Sequence, residues 1–304
     1  MIGLLRKKRD SFLLLKKALH NMLHAEFYLR KRMLEYNMLH NTKPGITDER
    51  YCDHDIIVSL TTHGKRLYEV YLAIESVMEQ TMKANRIVLW LDYGFEGKLL
   101  PRTLQMQQKR GLEIRYCKDI KSYKKLIPAL QEFPDAVIIT IDDDAIYNLD
   151  TLEQLITAYV ENPSYIYCHR QHKIKLHTTD NKLLPYDKWE KGCVEVGCAH
   201  PRNFPVGVGG ILYPPHIFDG EVFNETVFMK ICPYADDIWF KAMALKNGIL
   251  SQKVHTHNPE GNDFIENINV QDVGLKEINT EKKCLNNTQA EAVFSRYGLH
   301  KKLL

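Results

Sequence analysis

Four short aliphatic and β-branched runs, DIIVSLTT (55–62), RIVLWLD (86–92), LEIRYCKD (112–119) and AVIITIDDD (136–144), recur with helix-forming sequence between them. This alternation constrains the fold more than any other feature. Strands that alternate with helices build a parallel sheet with helices on both faces. The expected class is α/β, a mainly parallel central sheet flanked by helices, whose ligands bind outside the carboxyl ends of the strands.

The connecting segments carry their own signals. RLYEVYLAIESVMEQ places Leu67, Val70, Tyr71, Ile74, Val77 and Met78 on one helical face. KSYKKLIPALQEF predicts a helix that Pro128 kinks or restarts. Asp150 and Glu153 form a D-x-x-E capping pattern ahead of Leu152, Leu155, Ile156 and Tyr159. After about residue 165 the rhythm loosens. YIYCHR reads as a strand, PVGVGGILYPP as a strand loosened by glycine, ADDIWFKAMALKNG as a helix closed by Gly248, and KVHTHN as a strand or loop.

Charge is unevenly placed. The first forty residues carry nine Lys/Arg against three Asp/Glu, a surplus of +6, which leaves −3 on the remaining 264 residues. A basic end on a slightly acidic body speaks against nucleic-acid binding. Within the basic end, Leu15, Leu19, Met22, Leu23, Phe27 and the stretch Leu29 to Leu34 recur at helical spacing. Two readings stand: an interfacial helix on anionic lipid, or a helix docked on the body or on another subunit. No apolar run approaches the ~18 residues needed to span a bilayer. Seven irregularly spaced cysteines suit reduced thiols in a cytosolic compartment better than a disulfide framework. Residues 1–48 are expected to form a basic amphipathic extension, 53–260 a catalytic domain and 261–304 a tail.

The fourth run ends in Asp142, Asp143 and Asp144. Two unit charges ~4 Å apart repel by about 4 kcal/mol at an effective dielectric near 20, so something must offset the cluster. A hard divalent cation, Mg²⁺ or Mn²⁺, prefers oxygen ligands and keeps positions for substrate phosphates. The plainer alternative is an acidic loop in which one aspartate caps a helix and the others face water.

A D-x-D at the end of a central strand, together with DIKSYKKLIPAL, PDAVIITIDDDAIY, YCHR, GVGGILYPP and ICPYADDIWFKAMALKNG, resembles the nucleotide-sugar glycosyltransferases of the GT-A fold, specifically a bacterial family linked to capsule and surface polysaccharides. The resemblance covers roughly residues 53 to 260. It implies a GT-A, Rossmann-like sheet and Mn²⁺ or Mg²⁺ held by Asp142 and Asp144, with His255 or His257 as a further ligand. It places Asp143, Thr61, Thr62, Arg66, Lys121, Lys125, Gly209 and Gly210 around a nucleotide-sugar donor. Asp237, with Asp236 beside it, becomes the base that takes a proton from an acceptor hydroxyl. The implied acceptor is a glycan or lipid-linked glycan, handled in the cytoplasm or on the inner face of the cell membrane. The main rival is a sugar nucleotidyltransferase, whose first strand–helix loop is usually glycine-rich and basic, whereas TTHGKR has one glycine. A non-catalytic glycan-binding or assembly protein is the third reading.

Overall fold

A computed structural model describes residues 14–19, 21–22, 24–179, 181–255, 264–271 and 285–304. His257 lies outside the described residues. The chain opens with helix α1 (Ala25–His40), then alternates β1 (Ile56–Thr61), α2 (Tyr71–Met78), β2 (Arg86–Asp92), α3 (Arg102–Gln108), β3 (Leu112–Cys117), α4 (Ile127–Glu132) and β4 (Val137–Thr140). Next come β5 (Ala145–Tyr147), α5 (Thr151–Glu161), β6 (Ile166–Cys168), β7 (Gln171–Lys173), β8 (Asn203–Pro205) and β9 (Ile211–Tyr213). The last elements are α6 (Glu225–Ile231), α7 (Asp236–Lys246), β10 (Ser251–Lys253), β11 (Phe264–Glu266) and α8 (Leu285–Arg296).

Seven strands form the central sheet in the order β10-β6-β9-β4-β1-β2-β3. Only β9 runs antiparallel to its neighbours, β4 and β6. The fold is thus the expected α/β one, mainly parallel and Rossmann-like. Alternate side chains point to opposite faces, so Ile57, Val88, Trp90 and Ile138 enter one core while Ile56, Val58, Leu60, Leu89 and Ile139 enter the other. β1 and β4 are paired in parallel with Ser59 beside Thr140, which brings the chain after Thr61 next to the chain after Thr140.

Every residue of α2 is buried. The physical reason is a second layer: Phe27, Leu34 and Met38 of α1 pack on Tyr71, Leu72 and Ile146. Arg30 pairs with Glu79 at 3.1 Å and Lys31 with Glu69 at 3.0 Å, fastening the helix to the body. Away from that contact Leu15, Leu19, Met22, Leu29, Met33, Tyr36 and Leu39 are exposed. Docking on the body accounts for one face of the helix and leaves the other apolar and open.

Three local expectations differ from what the chain does. GVGG is not strand but a 3-10 turn, Gly207–Gly209, after which Gly210 at φ 91° redirects the backbone into β9. KSYKK is a 3-10 turn and not α-helix, while Pro128 restarts the chain as helix α4 as expected, in a first-turn position where its missing N–H costs nothing. Asp150 stands at the start of α5, but its carboxylate accepts from the Gln154 side chain instead of capping the backbone. The described parts of the expected C-terminal tail, 261–304, pack on the body. β11 pairs with β5, and Ala290, Val293 and Phe294 of α8 join Leu299 and Leu303 in the main core.

Candidate active site

The carboxyl ends of β1 and β4 open into a cleft of about 650 Å³. Thr61 reaches it from the end of β1, Thr62 and Arg66 from the segment after it, Asp142 to Asp144 from the loop after β4, and Lys121, Ser122, Lys124 and Lys125 from the 3-10 turn before α4. Asp236 and Asp237 enter from the first turn of α7. Ten of the sequence-nominated residues therefore converge on one surface.

The offset demanded by the aspartates is supplied partly by the protein itself. Thr62 donates to Asp143 Oδ2 at 2.5 Å, and Arg66 Nη1 to Asp143 Oδ1 at 2.7 Å. Arg66 Nη2 lies 2.9 Å from Asp144 Oδ2. Lys125, buried beneath the cleft, places Nζ 2.9 Å from Asp142, 3.1 Å from Asp236 and 3.9 Å from Asp237. Burial works to lower its pKa, but these three carboxylates outweigh burial and hold the ammonium well above its ordinary value. Lys125 is thus an internal counter-ion here, not a free phosphate ligand.

Rigid contacts fix the cluster. Ser59 Oγ donates to the Lys125 carbonyl at 2.5 Å and accepts from the Trp90 indole at 3.0 Å. The Tyr147 hydroxyl accepts from the Asp142 amide at 2.9 Å and donates to the Val208 carbonyl at 3.1 Å, tying the acidic loop to the glycine turn. Gly207 N–H donates to Asp237 Oδ2 at 2.9 Å. A Cβ at Gly207 would lie 2.7 Å from Lys125 Nζ and 3.0 Å from Asp237 Oδ1. The close approach expected of the glycines falls on Gly207. Gly209 instead faces Arg170 and His169, and Gly210 supplies the turn, with neither lining the cleft.

Charge is still not balanced. Five carboxylates, from Asp142, Asp143, Asp144, Asp236 and Asp237, contact two cations, Arg66 and Lys125. Burial, reinforced by Asp142 and opposed by Arg66, pushes Asp144 up to about 6. Burial, opposed by Lys125 and reinforced by Asp236 and Asp142, pushes Asp237 up to about 7. Asp237 Oδ1 is buried without a hydrogen-bond partner. An oxygen-only cluster short of positive charge suits a hard divalent ion, which commonly takes one or two carboxylates and completes its shell with water and substrate phosphates. Among the described residues no group of three His, Cys, Asp or Glu side chains is disposed to hold a metal unaided.

His255 does not join this cluster: it is exposed just beyond β10 and borders a separate depression with Asp150, Glu153 and Gln154. Lys121 lines the cleft with its ammonium 3.7 Å from the centre of the Tyr234 ring. Trp189 and Trp239 are core residues, their indoles donating to the Leu184 and Val222 carbonyls. Arg170, His172, Tyr186, Lys191, Phe204 and Asn286 also line the cleft, as do the carboxylate-bearing Asp119 and Glu266. His172, Tyr186, Lys191, Phe204 and Asn286 were not nominated from sequence, because they come from the irregular segment and from α8, with no local motif to mark them. Asn286 also heads an N-x-[ST] sequon, but it is 9% exposed, which removes it as a glycan acceptor in the folded chain.

No family model matches the chain, and no curated protein matches it in sequence. Among solved structures it is similar to a CMP:2-keto-3-deoxy-manno-octonic acid synthetase complexed with CTP, at 11% identity over 66% of this chain and 89% of that one, with a TM-score of 0.38. It is also similar to the inositol-1-phosphate CTP transferase from T. maritima, at 11% identity over 82% and 95% of the two chains, with a TM-score of 0.39. At those scores the assignment of this chain to a mainly parallel, Rossmann-like α/β fold rests on its own sheet order.

Proposed function

We propose that the cleft transfers a sugar from a nucleoside diphosphate to the hydroxyl of a glycan or lipid-linked glycan. The observation that carries this reading is Asp237: Gly207 holds Oδ2, while Oδ1 is left without a hydrogen bond beside the acidic cluster. A carboxylate anchored at one oxygen, with the other free of hydrogen bonds and only 3.9 Å from the Lys125 ammonium, is placed to accept a proton from an incoming hydroxyl. Thr61, Thr62, Arg66 and Lys121 would then border the nucleotide, with Asp143 locked in place by Thr62 and Arg66. Asp142 and Asp144 would hold Mg²⁺ or Mn²⁺, which when bound stabilises negative charge on a departing diphosphate. A base acting directly on the acceptor gives inversion at the anomeric centre.

Nucleotidyl transfer to a sugar is the second reading. The two solved structures named above are a CMP-sugar acid synthetase and a CTP transferase, and where the nucleophile is a sugar phosphate such a reaction needs no base. Against it stands the loop after β1, which contains one glycine and folds as a short 3-10 turn. The two readings separate in one assay. Glycosyl transfer predicts slow, Mn²⁺-dependent release of nucleoside diphosphate from a nucleotide sugar, reduced at least tenfold in Asp237→Asn. Pyrophosphate release from a nucleoside triphosphate and a sugar phosphate, with nucleotide sugars left intact, would replace it by the second reading. Asp144→Ala is expected to abolish Mn²⁺-dependent nucleotide-sugar binding while the thermal transition stays cooperative.

Contact with a membrane through α1 belongs to the same proposal. Its open apolar face supports it, and no helix among the described residues is long and apolar enough to cross a bilayer.

A further inference from the structure

The cleft is electrically lopsided in both directions. Its sheet-edge side has more carboxylates than cations. Among the described residues that line the cleft from the other side, around β7, β8, the segment Tyr186–Lys191 between them and α8, Arg170 and Lys191 are cations and none is a carboxylate. Among the described residues Arg170 makes no ion pair, and its Nε is buried with no hydrogen-bond partner. Lys191 is held 3.2 Å from the centre of the Tyr186 ring and donates to the Tyr186 carbonyl at 2.7 Å, again with no carboxylate in contact. Burial lowers the Lys191 pKa to about 8, with Asp187 opposing weakly, as expected for a cation short of an anion.

Two further groups face the same space. His172 Nδ1 accepts from the Gly192 amide at 3.0 Å, so in the neutral ring Nε2 carries the proton. Burial, then Lys191, and to a lesser degree Arg170, drive this imidazole down to about 3, so it stays a neutral donor near neutrality. Asn286, nine-tenths buried, lines the cleft, and its buried Oδ1 has no hydrogen-bond partner among the described residues. Arg170, Tyr186 and Asp237 line the same cleft, so this side shares the space of the proposed base. Two unpaired cations, a neutral N–H donor and an orphaned amide oxygen form a set of complements to an anion that also bears hydroxyls.

We propose that Arg170 and Lys191 bind the anionic group, phosphate or carboxylate, of a hydroxyl-bearing second substrate, with Asn286 and His172 hydrogen-bonding its sugar. This rests on the reading of the cleft as a sugar-transfer site, and it determines which acceptors, or which sugar-phosphate nucleophiles, the cleft admits.

Calorimetric titration of the full chain with glucose 1-phosphate, glucuronate and glucose tests it without requiring turnover. At least one charged probe should bind about ten- to a hundredfold more tightly than glucose, the scale of one or two charge-assisted hydrogen bonds. Whichever of the two binds tells a phosphate-bearing substrate from a carboxylate-bearing one. Arg170→Gln and Lys191→Gln should each erase most of that difference, Lys191→Arg should restore it, and UDP affinity should stay within about twofold of wild type. Equal binding of all three probes overturns the proposal, as does a preference that survives both substitutions. If UDP and nucleotide sugars fail to bind while the charged probes still do, the sugar-transfer reading falls and the anion subsite stands.

Discussion

Replacing Lys125 with methionine removes the one ammonium shared by Asp142, Asp236 and Asp237 at 2.9, 3.1 and 3.9 Å. The Lys125 side chain is 7% exposed and the three carboxylates 28%, 8% and 23%, so solvent cannot replace it fully. Breaking a buried pair by deleting one partner costs about 3–5 kcal/mol, because it strands uncompensated charge. For a chain of this size that is a fall in Tm of about 5–8 °C. Thermal unfolding of Lys125→Met beside wild type at pH 7.5 in EDTA measures it. Two further arms fix the cause: the deficit should shrink at pH 5, where the carboxylates of the variant take up protons, and adding Mn²⁺ should stabilise the variant more than wild type. A deficit under about 1 kcal/mol, or one indifferent to both pH and Mn²⁺, would refute the claim that Lys125 holds the acidic cluster together.

Three further outcomes follow from other parts of the molecule. Gly207→Ala should lower both turnover, at least tenfold, and Tm, because its Cβ would lie 2.7 Å from the ion-paired Lys125 Nζ and 3.0 Å from Asp237 Oδ1; unchanged turnover would separate Gly207 from the site. Lys241 is fully buried, and burial lowers its pKa to about 7 against an unfolded value near 10.4. The unfolded chain therefore binds the extra proton between those values. The penalty is complete below about pH 7 and fades as pH rises towards 10.4, so Lys241→Met should raise Tm at pH 7 by about 2 °C or more and by less at pH 9.5. An equal gain at both values would contradict the assignment. Co-sedimentation with phosphatidylserine vesicles should fall when Leu29 and Met33 are changed to glutamate, while Phe27→Ala, on the body-facing side of α1, should cost about 3–5 kcal/mol of stability instead.

Local pattern carried the sheet because each strand announces itself within seven or eight residues. Ile56, Val58, Leu60 and their counterparts in β2 and β4 need no distant information to be strand. The same holds for the position of Asp142 to Asp144: the end of β4 is where the apolar run stops. What escaped was whatever depends on contacts between remote segments. Lys125 reads as one more base in KSYKK, and nothing nearby in sequence says that it will meet Asp236, 111 residues on. Gly207 and Gly209 look alike in GVGG, and only the turn decides which backs onto the site. Leu299 and Leu303 look like a terminal scrap until α8 carries them into the core. His172 and Lys191 become neighbours only through the β7–β8 pairing and the bridge from Lys173 to Glu190.

The account turns on whether the sheet-edge carboxylates receive a cation together with a diphosphate. An anomalous difference map at the manganese edge, from crystals soaked in MnCl₂ and UDP, reads both at once. It should show a manganese peak against Asp142 and Asp144 with the diphosphate in contact. Manganese absent from that edge, or UDP seated away from Thr62, Arg66 and Asp143, would contradict it.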